Sequence, residues 1–95
     1  MKPETNPWYV YIIVCSDTSL YTGISTDVER RFLEHKHHKG AKYFRARSPE
    51  EMVYVEGGHT RSTASQREAV IKKLDRQEKL SLINSDRNTL PRSRQ

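Results

Sequence analysis

The sequence is poor in cysteine and has no long apolar run. Cys15 is the only cysteine among 95 residues, which excludes an internal disulfide and a zinc site built from cysteines. Apolar residues make up 34% of the chain, and no window approaches the roughly 18 consecutive apolar residues of a membrane-spanning helix. We therefore expect a fold that rests on its hydrophobic core alone and does not cross a membrane.

An export signal is not expected either. The apolar segment 8–15 is too short for one and follows Pro3 and Glu4 instead of basic residues. Together with the single cysteine, this favours a reducing cytoplasm. A chain of 95 residues has room for one small domain. The predicted division is a flexible lead-in over 1–7, a domain over 8–83 and a flexible basic tail over 84–95.

Familiar site motifs are also missing. The sequence contains no GxxxxGK[ST] phosphate loop, no GxGxxG dinucleotide motif and no HExxH metalloprotease motif. His35, His37 and His38 are close in sequence, but they have no acidic or cysteine partner in their loop. Such histidines contact solvent or phosphate more often than they bind a metal.

Positive charge is concentrated in one stretch of the chain. There are 17 Lys and Arg residues against 12 Asp and Glu, a net charge of +5. The stretch 30–47 holds seven basic residues and one acidic residue, so it accounts for the whole excess. Charge gathered in this way favours contact with a phosphate backbone over a merely solvated loop. The expected nucleic-acid contacts are Lys36, Lys39, Lys42, Tyr43, Arg45 and Arg47.

Two aromatic residues, Tyr43 and Phe44, lie among these basic residues. Aromatic rings in such a loop either stack on nucleic-acid bases or pin the loop to the core, and the sequence leaves both interpretations open.

The hydrophobic pattern predicts the order β-β-α-β-α-α. Residues 8–15 are apolar on both alternating faces, as in a central strand, and a turn joins them to a second strand over 20–24. A third strand is expected over 51–56, closed by Gly57 and Gly58.

Capping signals place the helices. Thr26 and Glu29 have capping-box spacing, which predicts a first helix from near Asp27 to about Lys36. Ser62 or Thr63 is expected to cap a second helix with the inner residues Val70, Ile71 and Leu74, and Asp75 with Glu78 to begin a third. In the first helix, Arg31 and His35 lie beside the inner stripe of Val28 and Phe32, whereas Arg30 and Glu34 point away.

One set of spaced residues points to chemistry. It comprises Tyr9-Val10-Tyr11, Tyr21-Thr22-Gly23, Arg31, His35 and Glu68. This set resembles the GIY-YIG nuclease family, in particular its small single-domain, stand-alone bacterial branch. The loop segment Gly40-Ala41-Lys42-Tyr43 and the pair Arg67-Glu68 extend the resemblance, which spans roughly 8–83.

The resemblance implies an α+β fold with a three-stranded antiparallel sheet flanked by helices. It also implies an endonuclease that hydrolyses nucleic-acid phosphodiesters, DNA above all, with one Mg²⁺ or Mn²⁺ ion. A role in DNA repair or recombination follows from the same resemblance. The implied catalytic residues are Tyr11, Tyr21, Arg31, His35 and Glu68, with Glu68 as the metal ligand and Gly23 as a structural residue.

The sequence departs from the family pattern at several positions. Tyr9, Val10 and Thr22 replace Gly, Ile and Ile of the name-giving motifs, and the family's asparagine near the C-terminus has only Asn84 as a counterpart. The three substitutions keep strand character and spare the reacting groups. The small size, the asparagine and the absence of an added specificity domain leave room for a non-cleaving module of the same fold that binds DNA or RNA. A structural or protein-interaction domain is a further alternative. Glu68 has its own alternative, a surface ion pair with Lys72 at i,i+4 spacing.

The two tyrosines pose a further question. Their rings share one sheet face only in some hairpin registers, and the sequence does not fix the register. Which tyrosine acts as a base is likewise left open.

Overall fold

A computed structural model describes residues 7–37 and 41–90. Within this part of the chain, three antiparallel strands form one sheet with the order β2-β1-β3, and helices cover both faces. The predicted element order and the α+β class are confirmed. The elements are β1 (Trp8–Cys15), β2 (Leu20–Ser25), α1 (Val28–Lys36), a 3₁₀ turn (Lys42–Arg45), β3 (Pro49–His59), α2 (Arg61–Lys72) and α3 (Arg76–Ile83).

Strand β1 is central because its side chains are apolar on both faces. Val10 and Ile12 pack with Ile71 of α2, and residues of α3 border this core. Tyr11 and Ile13 face the opposite side, where the 3₁₀ turn and α1 cover them. The sheet is thus the middle of three layers, and the polar ends of Tyr11 and its neighbours lie on the α1 side.

The helix caps differ in detail from those predicted. Asp27, not Thr26, caps α1, since its side chain accepts from the backbone N–H of Arg30. Thr60 caps α2 and forms a reciprocal capping box with Thr63, so the helix begins before the predicted Ser62. A threonine at the third helical position completes the box because its hydroxyl both donates and accepts. Asp75 and Glu78 form the predicted box at α3.

The inner face of α2 is only partly as predicted. Ile71 is fully buried, but Val70 is 52% exposed, so its assignment to the core was wrong. Ala64, two turns before Ile71 on the same face, is the second buried residue of the helix. A small residue there lets the helix lie close to the sheet.

Strand β3 is longer than the predicted 51–56. It continues through Gly57 and Gly58 to His59, which pairs with Trp8. The two glycines lie at a register shift between Trp8 and Val10, and Gly58 has a φ of 80°. They form a bulge and do not stop the strand, because glycine adopts this left-handed conformation without steric cost.

The segment 84–90 is held against β3, whereas the sequence predicted a flexible tail from Asn84. Asn88 accepts from the N–H of Val55 and donates to the carbonyl groups of Val53 and Ile83. Thr89 donates to Val55 in turn. The physical reason is that β3 is an edge strand, whose free backbone groups require partners. The segments 1–6 and 91–95 lie outside the described residues, and the predicted division of the chain stays a prediction.

Candidate active site

The two motif tyrosines lie on the same face of the sheet. Tyr11 pairs with Gly23 and Ile13 pairs with Tyr21 in the β1–β2 hairpin. This register places the two tyrosine rings side by side, with centroids 6.3 Å apart. The question that the sequence left open is thereby answered, since the hairpin joins both hydroxyl groups into one site.

Gly23 leaves the space that the Tyr11 side chain occupies. A Cβ atom at position 23 would stand 2.5 Å from the Tyr11 hydroxyl oxygen and 2.7 Å from Cζ. Contacts under 3.0 Å force neighbouring atoms to move. Gly23 of the second motif therefore leaves room for the side chain of Tyr11, from the first motif, to pass over β2.

His35 is fully buried beside Tyr11. Its Nε2 lies 2.9 Å from the Tyr11 hydroxyl oxygen, and its Nδ1 accepts from the backbone N–H of Ala41 at 3.2 Å. Burial, assisted by the nearby charge of Arg31, lowers the pKa of His35 to about 4, so the ring is neutral near pH 7. Because Nδ1 accepts, the single ring proton is on Nε2, which donates to Tyr11.

Arg31 is anchored by a neighbour on its own helix. One guanidinium nitrogen donates to Glu34 at 2.9 Å, and both side chains are about one-third exposed. Glu34 thus supplies the anionic partner that a half-buried guanidinium needs, since an unpaired one is costly. The nearby Arg31 guanidinium also favours the ionised form of Tyr11 and so opposes part of the rise in its pKa that burial causes.

The two tyrosines differ in their surroundings. Burial is the main cause that raises the pKa of Tyr11 above its usual range, and the ring is 1% exposed. Burial also raises the pKa of Tyr21, but the charges of Lys72 and Arg31 oppose that rise. Tyr21 is only half-buried, so it is the tyrosine more open to solvent.

Glu68 of α2 acts electrostatically on the same group, since its charge raises the pKa of both Tyr11 and Tyr21. Its Oε2 lies 3.2 Å from Lys72 Nζ, so the i,i+4 ion pair that the sequence offered as an alternative is formed. The role of the carboxylate in the tyrosine site stays a prediction.

The donor set around Glu68 fits a hard divalent ion bound through one carboxylate. Among residues 7–37 and 41–90, no group of three His, Cys, Asp or Glu side chains could hold a metal. Mg²⁺ keeps several waters and is commonly bound by one or two carboxylates with substrate phosphate. Glu68 would be the protein ligand in such a site.

The predicted nucleic-acid contacts fall into two groups. Lys36, Lys42 and Arg45 are exposed around the site. Arg47 is already engaged, because it donates to Asp17 at 2.8 Å and its guanidinium lies 4.1 Å above the Tyr43 ring. Lys39 of the predicted set lies outside the described residues.

The two loop aromatics differ, and base stacking by Tyr43 stays a prediction. Phe44 is fully buried, 4.4 Å from the His35 ring, and pins the 3₁₀ turn to the core. Tyr43 is half-buried and lies 5.2 Å from the Tyr21 ring, at the margin of the site.

A polar network between β3 and α2 was not predicted from the sequence. Arg67 donates through Nε to both oxygens of Glu56 at 3.1 Å, and His59 and Tyr54 bond the same carboxylate. Burial disfavours the ionised form of Glu56. The hydrogen bonds and the positive charge of Arg67 outweigh that effect, so the pKa of Glu56 is lowered. The network ties α2 to β3 and so fixes the helix that carries Glu68. Its one sequence signal was an acidic residue ending an otherwise apolar strand.

The asparagine that is engaged near the C-terminus is not the one that the sequence offered. Asn84 is exposed at the end of α3, where it serves as the C-cap. The asparagine whose side chain is engaged is Asn88, and its partners are backbone groups of β3 and α3.

A comparison of the sequence with known protein families finds one that matches most of the chain. The family described as the GIY-YIG catalytic domain matches residues 7–81, most of the chain. The chain belongs to the GIY-YIG family. The resemblance predicted from the spaced motifs is therefore confirmed. Among the described residues, no helix is both long and apolar enough to cross a membrane.

Small GIY-YIG relatives of similar length share much of the sequence. A UPF0213 protein of Haloquadratum walsbyi is 54% identical over 74 residues, which cover 78% of this chain and 83% of that relative. A UPF0213 protein of Staphylococcus saprophyticus is 47% identical over 76 residues, covering 80% of this chain and 93% of that protein.

Solved structures support the same fold. The UPF0213 protein from Bacillus halodurans is 39% identical, with a TM-score of 0.54 over 86% of this chain and 87% of its own. A protein from E. faecalis is also 39% identical, with a TM-score of 0.55 over 88% and 90% of the two chains.

Proposed function

We propose that this protein is a metal-dependent endonuclease that hydrolyses phosphodiester bonds of nucleic acid, with DNA as the expected substrate. GIY-YIG membership implies the nuclease class. The observation that carries the proposal is the convergence of Tyr11, Tyr21, Arg31, His35 and Glu68, which come from β1, β2, α1 and α2. Hydrolysis needs an activated water, neutralised phosphate oxygens and a stabilised leaving oxygen, and this group offers all three.

Arg31 and Tyr11 serve the phosphate. Glu34 holds one guanidinium nitrogen of Arg31, which leaves other N–H donors for non-bridging oxygens. The Tyr11 oxygen accepts from His35, which leaves its own proton available for another acceptor such as a phosphate oxygen. The neutral His35 is a positioning residue in this arrangement, because its Nε2–H orients the Tyr11 hydroxyl.

Tyr21 is the better candidate for activating water. Its ring is half-buried, and Lys72 and Arg31 stabilise its ionised form, whereas Tyr11 is enclosed. A tyrosine with an ordinary pKa of about 10 needs such cations to act as a base near pH 7. Glu68 would hold the single Mg²⁺ or Mn²⁺ ion, which supplies Lewis-acid stabilisation of the charge that develops on the phosphate.

Substrate binding is expected to follow the phosphate backbone. Lys36, Lys42 and Arg45 are exposed on α1 and the 3₁₀ turn, the elements that also carry His35 and Phe44. A domain this small has little surface for reading bases, which favours recognition of backbone or DNA structure over a long sequence. The cytoplasmic location and a role in DNA repair or recombination stay predictions.

The test is cleavage of plasmid, single-stranded and branched DNA in the presence of Mg²⁺ or Mn²⁺. Glu68→Gln and Arg31→Met should each lower single-turnover cleavage by about 10²-fold or more. Glu29→Gln is the matched control, because Glu29 is an exposed carboxylate of α1 and should keep wild-type activity. No cleavage under any condition, or equal losses in all three variants, would overturn the proposal.

A second candidate is a non-cleaving module that holds DNA or RNA. It is favoured by the ion pair that Lys72 forms with Glu68, since an ammonium group occupies the proposed ligand. Steeply salt-dependent binding without turnover, unchanged in Glu68→Gln, would select this function.

A further inference from the structure

Lys72 pairs with the proposed metal ligand, and its charge also acts on the more open tyrosine. Its ammonium is 3.2 Å from Glu68 Oε2, and its charge is the largest that opposes the effect of burial on the pKa of Tyr21. The Lys72 side chain is 53% exposed and that of Glu68 is 23% exposed. The lysine therefore touches the site from its solvent side.

This ion pair and a divalent ion at Glu68 compete for the same oxygen. A cation bound at the carboxylate would face the ammonium at close range, and like charges at that distance repel. Lysine has a flexible four-carbon stem, and an exposed side chain can leave the carboxylate without disturbing the core. Its charge already acts on Tyr21, which the proposed function places beside the substrate phosphate.

We propose that Lys72 is a counter-ion of Glu68 in the free protein and transfers to a substrate phosphate, which couples nucleic-acid binding to divalent-ion binding. The proposal rests on the proposed function. Phosphate that attracts Lys72 frees Glu68 for the ion, and an ion at Glu68 releases Lys72 for phosphate. Such coupling is reciprocal by thermodynamic necessity.

The first experiment measures Mn²⁺ binding to the free protein by electron paramagnetic resonance. Lys72→Met should bind Mn²⁺ about two- to fivefold more tightly than wild type, since a partly exposed ion pair has to be broken only in the wild type. Lys73→Met removes an exposed lysine one position along the chain and is the matched control. It should leave the Mn²⁺ affinity unchanged.

The second experiment measures DNA affinity by fluorescence anisotropy with Ca²⁺ or with a chelator. Ca²⁺ should strengthen DNA binding in the wild type, and Lys72→Met should reduce that gain about two- to fivefold. Equal Mn²⁺ affinities in the wild type and Lys72→Met, or equal tightening in both lysine variants, would overturn the role of Lys72 while leaving the nuclease proposal intact. Mn²⁺ binding that survives in Glu68→Gln would instead overturn the metal assignment, and the Lys72 proposal with it.

Discussion

The Tyr11 hydroxyl accepts a hydrogen bond from His35 Nε2 at 2.9 Å, because the N–H of Ala41 already occupies the other ring nitrogen. This relationship links β1, α1 and the segment that leads into the 3₁₀ turn. It requires a neutral imidazole, which burial provides by lowering the pKa of His35 to about 4. The orientation of the tyrosine proton is thus set by the backbone N–H of Ala41, which lies outside the two tyrosine motifs.

The first prediction concerns stability at acid pH. His35 takes up a proton near pH 6.5 in the unfolded chain but near pH 4 in the folded one. Between these values the unfolded state binds more protons, so the free energy of unfolding falls as the pH drops, by at most about 3 kcal/mol. Urea unfolding at several pH values should show this loss in the wild type.

His35→Gln is the matching variant. It keeps a side-chain amide near Tyr11 and removes the titrating group, so its free energy of unfolding should change less between pH 6.5 and 4. Carboxylates that titrate at lower pH, including Glu34 beside Arg31, affect both proteins alike. Parallel pH profiles for the two proteins would contradict the assignment of a neutral, buried imidazole.

The second prediction concerns Gly23. Gly23→Ala places a Cβ atom 2.5 Å from the Tyr11 oxygen and 3.1 Å from the Tyr21 ring, so both tyrosines have to move. We expect a loss of about 2 kcal/mol in the free energy of unfolding and at least a tenfold loss of cleavage rate.

Gly57→Ala provides the control for this change. Its Cβ atom would stand 3.0 Å from the edge of the half-buried Tyr9 ring, which can turn aside. Thermal unfolding should therefore show the smaller loss, and cleavage should be retained. Similar losses of cleavage in both alanine variants would mean that the loss comes from a general disturbance of the sheet and not from displacement of the tyrosine pair.

Sequence patterns identified the strands well because β1 is apolar on both faces, as only a central strand is. They also named the candidate site from spaced motifs, of which the structure brings Tyr11, Tyr21 and His35 together, while the catalytic roles stay a prediction. They failed at local pairs without the usual spacing signal and where a tertiary partner decides. The capping of α2 depended on the local pair Thr60 and Thr63, and the pairing of Arg31 on Glu34 one turn along α1. The anchoring of the last segment required the free edge of β3, which has no signature in the sequence of 84–90.

The third prediction tests that anchor. Asn88→Ala removes the side chain that bonds backbone groups of Val53, Val55 and Ile83. Leaving partly buried backbone groups unpaired should cost about 1–3 kcal/mol in the free energy of unfolding. Asn84→Ala, at an exposed C-cap, should change it by less than about 0.5 kcal/mol. A larger loss in the Asn84 variant would contradict the assignment of Asn88 as the anchor.

The fourth prediction tests the network that fixes α2. Arg67→Met removes the cation from Glu56, whose residue is 9% exposed, and should destabilise the protein by about 2–4 kcal/mol. The double variant Glu56→Gln with Arg67→Met also removes the stranded charge, so it should be more stable than Arg67→Met alone. Chemical unfolding of the wild type, Arg67→Met, Glu56→Gln and the double variant gives the coupling energy between the two side chains. Strictly additive losses would show that the two side chains do not act as a pair.

The last prediction separates basic residues that are free to bind phosphate from one that is not. Lys42 and Arg45 are exposed beside the site, whereas Arg47 is paired with Asp17 and stacked on Tyr43. Lys42→Gln and Arg45→Gln should each reduce the slope of log affinity against log salt concentration by about 0.7–0.9, as expected for one lost phosphate contact. Arg47→Gln should leave that slope unchanged and lower the thermal stability instead. DNA binding measured between low and high salt distinguishes the two groups, and a slope that falls equally in all three variants would place Arg47 among the phosphate contacts.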